Sequence, residues 1–106
     1  MSTPELTGKQ RRYLRSLGHH LDPIVLVGKE GVTEGLGKEL AHALLDHELV
    51  KVRLLDSCPQ DRDAAAASLE KACGAAIAGE VGHTLLFYKP HPEKPRIELP
   101  RSGAAR

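Results

Sequence analysis

Residues 24–55 restrict the fold more than any other part of the chain. The stretch opens on the short, unalternating apolar run IVLV at 24–27, which suits a strand covered on both faces. The loop Gly28-Lys29-Glu30-Gly31 follows, then Thr33, a good N-cap, with Glu34 in the first turn of a helix. Leu36, Leu40, Ala43 and Leu44 recur at helical spacing to about His47. Gly35 and Gly37 either weaken that helix start or let another backbone approach closely. LVKVRLL at 49–55 then alternates, with Val50, Val52 and Leu54 facing one way and Lys51 and Arg53 the other. Strand, helix and strand in this span predict a βαβ unit: two parallel strands joined by a right-handed crossover.

The flanks extend that unit. TGKQ at 7–10 matches a capping box, so a helix is expected over 7–18, closed by Gly18 and stopped by Pro23. On it Gln10, Tyr13, Leu14 and Leu17 share one side, and Arg11, Arg12 and Arg15 the other, with Lys9 at the flank. A solvated face ordinarily mixes signs, and this one does not. After the second strand, DAAAASLEKAC at 63–73 predicts an alanine-rich helix capped by Asp61 and ended by Gly74. Residues 75–81 are a weak strand candidate, Gly82-His83 a tight turn and 84–88 a strand. KPHPEKP at 89–95 must be loop, and 96–99 is a candidate edge strand. The expected fold is α/β, an open two-layer α-β-α-β-α-β-β domain with a mixed sheet. It forms a single domain over 1–106, with a core at 6–101 and short loose tails.

Composition narrows the function. A chain of 106 residues builds one modest core. Aromatics make up only 3%, so platforms that stack bases on rings are nearly excluded. The apolar fraction of 41% contains no run long enough to span a bilayer, and MSTPELTGKQ lacks a signal-peptide layout. The expected compartment is the cytoplasm, where Cys58 and Cys73 stay as thiols. Net charge is +1, yet the charge is unevenly spread. Lys9, Arg11, Arg12 and Arg15 form a basic block. Lys89, Lys94, Arg96, Arg101 and Arg106 outweigh Glu93 and Glu98. Between them Arg62 and Lys71 face Asp56, Asp61, Asp63, Glu70 and Glu80. Such a polarised surface suits an anionic partner.

The loop at 28–31 has the assets of an anion site: helix N–H groups pointing outward, glycines that permit close approach, and Lys29. Glu30 is expected to face away. No Walker A loop is present, since Val32 and Thr33 follow Gly31, and Gly28, Gly31 and Gly35 do not fit a dinucleotide fingerprint. Joined to the arginine face, the loop suggests a grip on nucleic-acid phosphate rather than on bases.

LTGKQRRYLRSLGHHLDPIVLVGKEGVTEGL, ALLDHELVKVRLL, GHTLLFYKP and PRIELP resemble the CRM domain of YhbY-type RNA-binding proteins over 6–101. The resemblance implies a bacterial protein associated with precursors of the large ribosomal subunit. It also implies a fold similar to the C-terminal domain of translation initiation factor three. The G-x-x-G loop, compared in that family with KH domains, would contact RNA backbone through Gly28, Lys29, Glu30 and Gly31. The basic first helix joins the surface, and Lys51, Lys89 and Arg96 form a reserve set expected beside the loop. Residues 75–79 depart from the family by being a weaker strand than is typical.

Other chemistries fit poorly. His42 and His47 are five apart and diverge by about 140° on a helix, so no shared metal is expected; His47 instead suits a helix C-terminus. Ser16, Ser57 and Ser68 stand on no nucleophile elbow, and Asp61 and Asp63 are accounted for as caps. No enzyme, cofactor or metal is expected, and the partner is RNA bound by a monomer. The alternative is a protein-interaction module without RNA contact, which would lack the steep salt dependence of phosphate binding.

Overall fold

A computed structural model describes residues 6–99; the expectations for tails at 1–5 and 100–106 lie outside it. Helix α1 is Gly8–Gly18, strand β1 Val25–Val27, helix α2 Glu34–His47 and strand β2 Leu49–Leu54. Helix α3 is Arg62–Cys73, and strands β3 and β4 are Ala76–Val81 and Thr84–Tyr88. The helix starts follow local chemistry. The Thr7 hydroxyl accepts the Gln10 N–H, and the Gln10 side chain returns to the Thr7 N–H. Thr33 and Asp61 accept the N–H of Leu36 and Ala64 in the same way. Gly74 ends α3 at φ 69°, a conformation that favours glycine.

The sheet order is β1-β2-β4-β3, with β1 parallel to β2 and the other neighbours antiparallel. Val25, Val27, Val50, Val52, Leu85 and Phe87 face α2 and α3, and with Leu40, Leu44 and Leu69 they make the main core. Helices α2 and α3 come close where Gly37 lies: a Cβ there would stand 3.0 Å from the Ala72 Cβ. That proximity selects the second of the two roles open to this glycine.

The opposite sheet face carries a second cluster of Leu14, Leu49, Ala78, Leu86 and Tyr88, against which Leu17, Ile97 and Leu99 pack. Helix α1 therefore adds a third layer over β2, β4 and β3, and the two-layer arrangement expected holds only at the β1 edge. There α1 does not reach, so β1 is covered on one face rather than two: Leu26 stays 50% exposed, although Val25 and Val27 are buried. One further expectation is corrected, and one is met. Residues 96–99 form no strand, because the N–H groups of Arg96 and Ile97 go to a carboxylate, that of Glu48. Strand β3 does form, but its register slips between Ile77 and Gly79.

Candidate nucleic-acid interface

The loop after β1 is a tight turn. The Gly31 N–H donates to the Gly28 carbonyl at 2.9 Å, which leaves Lys29 and Glu30 exposed at the tip. Gly31 is buried at φ 71°, and a Cβ there would lie 2.9 Å from Gln60 Oε1. That same oxygen accepts the Val32 N–H at 2.7 Å, which ties the turn to the loop before α3. Gly31 is thus fixed by backbone conformation and packing as well as by any ligand. Its N–H, and that of Val32, are already used. The α2 N-terminus offers the N–H groups of Glu34 and Gly35 instead, since Thr33 takes that of Leu36. The Glu34 carboxylate in the same turn partly offsets the field there.

On α1, Lys9, Arg11 and Arg12 are exposed, and their side chains form no hydrogen bond or ion pair with other described residues. Arg15 behaves differently from its neighbours. Its Cγ and Cδ lie 2.8 and 2.7 Å from where a Cβ on Gly79 would be, and its Nη1 is 3.5 Å from the Ala78 carbonyl. The register slip in β3 puts a residue without a side chain under the Arg15 stem, so the guanidinium leans onto the sheet.

The reserve set is divided by the topology. Lys51 projects from β2 on the α1 side, its Nζ 3.0 Å from the Leu21 carbonyl. Lys89 and Arg96 lie at the far end of the sheet from the loop, because Tyr88 pairs with Leu49 while Thr84 pairs with Arg53. This corrects the expectation that they flank the loop. Both are engaged in capping: Lys89 Nζ donates to the Cys73 carbonyl at 3.0 Å, and Arg96 donates to the carbonyls of Leu45 and Asp46. Arg96, not His47, therefore closes α2.

Two further side chains matter that the motifs alone did not single out. Arg53 is exposed on the same sheet face as Lys51, between Leu26 and Thr84, and the alternation of β2 was the signal for it. Glu48 is fully buried at φ 63°. Its Oε2 accepts the His91 N–H at 2.7 Å, and Oε1 accepts those of Arg96 and Ile97, each at 2.8 Å. Burial raises its pKa, but the three N–H donors and the Arg96 charge together outweigh that and hold the carboxyl below its ordinary value. Glu48 belongs to the fold, since it fastens the chain after β4.

Charge separates the two faces at the loop end. The cleft on the α3 side is lined by Asp56, Asp61 and Asp63, and its Arg62 is held by the Gly82 carbonyl at 3.1 Å and by Glu80 at 3.4 Å. The α1 side presents Arg15, Lys51 and Arg53. Among the described residues no three His, Cys, Asp or Glu side chains gather as metal ligands would. A polyanion fits the α1 side and is repelled by the other.

The model of the CRS1/YhbY (CRM) domain matches residues 6–89. The Bacillus subtilis protein named Probable RNA-binding protein YqeI is 44% identical over 95 residues, covering 90% of this chain and 99% of that protein. A Haemophilus influenzae protein named RNA-binding protein is 36% identical, covering 91% of this chain and 96% of its own length. The solution structure of Staphylococcus aureus SAV1595, described as a candidate RNA-binding protein, superposes with a TM-score of 0.76 at 38% identity. That match covers 91% of this chain and 100% of the other.

Proposed function

Because the chain belongs to the CRS1/YhbY (CRM) family, we propose that it binds RNA, gripping phosphates with the outer face of α1 and the tip of the loop at 28–31. The observation that carries this reading is a set of cations without carboxylate partners among the described residues: Lys9, Arg11 and Arg12 on α1, and Lys29 on the loop. Cations that no carboxylate of the chain cancels suit a partner that supplies its own anions. Relatives that carry RNA-binding names support the same partner class. The RNA we propose is ribosomal RNA in precursors of the large subunit, which rests on the likeness to YhbY-type proteins. The proposed form is a single-domain cytoplasmic monomer; no helix among the described residues is long and apolar enough to cross a membrane.

The role is binding without catalysis. Ser16 donates its hydroxyl to the Tyr13 carbonyl at 2.6 Å, and Asp61 is occupied as a cap. Recognition through the backbone follows from the shortage of rings, since base stacking needs aromatic faces.

The test is the double variant Arg11→Gln, Arg12→Gln, titrated with ribosomal RNA fragments across a salt series. Both side chains are exposed, so stability should change by about half a kcal/mol or less. For every phosphate no longer neutralised, the salt dependence of binding should flatten by a slope of about 0.7–0.9. Unchanged affinity and slope in a folded variant would remove α1 from the interface.

A further inference from the structure

A groove of about 460 Å³ lies between the C-terminal half of α1 and the sheet. Arg15, His19 and Lys51 stand on its rim, and Val81, Thr84 and Leu86 form its wall and floor. Among the described residues no carboxylate lines it. Resting on the RNA-binding function proposed for the chain, we propose that this groove holds one unpaired nucleotide of the bound RNA. Its phosphate lies against Arg15 and Lys51, and its base rests on Val81 and Leu86.

The two cations are placed without being neutralised. A carboxylate would fix Lys51 or Arg15 and cancel its charge together. Here the anchors are the backbone carbonyls of Leu21 and Ala78, which orient the side chains and leave the charge in place. An ammonium has three N–H donors and a guanidinium five, so one bond to a carbonyl leaves others for a phosphate. Preplacement also reduces the ordering cost of binding.

The wall explains why the nucleotide is unpaired. Val81 is 74% exposed, an unusual position for a strand valine, and it projects on the α1 side beside Thr84. Glu80, its neighbour in sequence, points to the other face and meets Arg62. An apolar wall beside cations suits a ligand with one charged part and one flat apolar part. A duplex turns its bases inward and presents only phosphate and sugar here, whereas an unstacked nucleotide presents both parts. In a chain with 3% aromatics, an aliphatic wall takes the place of a ring. The groove volume falls within the range that single small ligands occupy.

Two probes test this: a short fluorescent single-stranded oligouridylate and an RNA duplex of the same length. Val81→Ser removes apolar surface and no charge. It should weaken the oligouridylate several-fold while leaving its salt slope and the duplex affinity unchanged. Val81→Asp should cost about tenfold or more on the single strand. Lys51→Met should lower the single-strand salt slope by about 0.7. Thermal melting confirms that each variant is folded. If Val81→Ser and Val81→Asp bind the single strand as tightly as wild type while Arg11→Gln, Arg12→Gln weakens it, the groove proposal falls and the RNA-binding function stands. If wild type binds neither probe at low salt, both fall.

Discussion

Glu48 gives the sharpest test of how this fold is held. Replacing it with Gln keeps the shape and removes the charge. The carboxylate accepts from His91 at 2.7 Å and from Arg96 and Ile97 at 2.8 Å, inside a site with no exposure to solvent. If the Gln oxygen replaces Oε1, two bonds persist but weaken from charged to neutral. The amide N–H₂ then faces the His91 N–H, donor against donor. Hydrogen bonds to charged groups contribute about 1.5–3 kcal/mol each, and a buried donor left unpaired costs about 1–3 kcal/mol. Breaking one bond and weakening two amounts to about 3–5 kcal/mol, a large share of the roughly 5–15 kcal/mol that holds a domain together. For a chain of this size each kcal/mol lowers the melting temperature by about 4–8 °C, so a drop above about 12 °C is expected. The pH dependence has a definite sign. The folded carboxyl lies below its ordinary value, so on acidification the unfolded chain takes up this proton first. The contribution of Glu48 is complete above the ordinary carboxylate range and is lost as pH falls through the lower folded value. Urea unfolding of wild type and Glu48→Gln from neutral pH downward should show curves that converge toward the acid end. A loss below about 1 kcal/mol at neutral pH, or parallel pH curves, would refute the reasoning.

Gly31→Ala should cost about 2 kcal/mol or more, because the residue sits at φ 71° and its Cβ would displace Gln60 from the Val32 N–H; a melting shift under about 2 °C would show that the turn tolerates a side chain. The more drastic Gly31→Asp is for this reason a poor probe of binding, and Lys29→Gln at the exposed tip is the better one, with weaker RNA binding and unchanged melting expected. Lys89→Met should cost about 1 kcal/mol by removing the cap on α3 while leaving RNA affinity within about twofold; a flattened salt slope would return Lys89 to the interface. Burial pushes the Cys73 thiol up, and the residue is nearly inaccessible, so maleimide should label Cys58 first and reach Cys73 only in denaturant; equal labelling rates in native protein would contradict the packing of α3.

Some features of this chain were written locally. The capping box at Thr7 and the caps at Thr33 and Asp61 close hydrogen bonds across three residues, so the residues that decide them sit side by side in the sequence. The alternation of Val50, Val52 and Leu54 against Lys51 and Arg53 likewise follows from strand geometry alone. The order of elements, the parallel pairing of β1 with β2, and the outward placement of Arg11 and Arg12 were legible for that reason. The candidate site was legible only in part. Arg11, Arg12, Arg15 and Arg96 are the same kind of residue in similarly basic stretches, and nothing local separates them.

Packing made that separation. Arg15 reaches Ala78 across 63 positions of chain, Lys89 reaches Cys73 across 16, and the Glu48 carboxylate collects N–H groups 43 to 49 residues away. Each of these interactions exists only because a sheet face, a helix end and a returning segment meet at one point. Local sequence therefore fixed where the helices start, how β2 alternates and which charges the chain carries. Tertiary structure decided which charges are engaged in holding the fold and which remain for a partner, because a cation near a carbonyl is distinguished from a free one by where distant backbone lies.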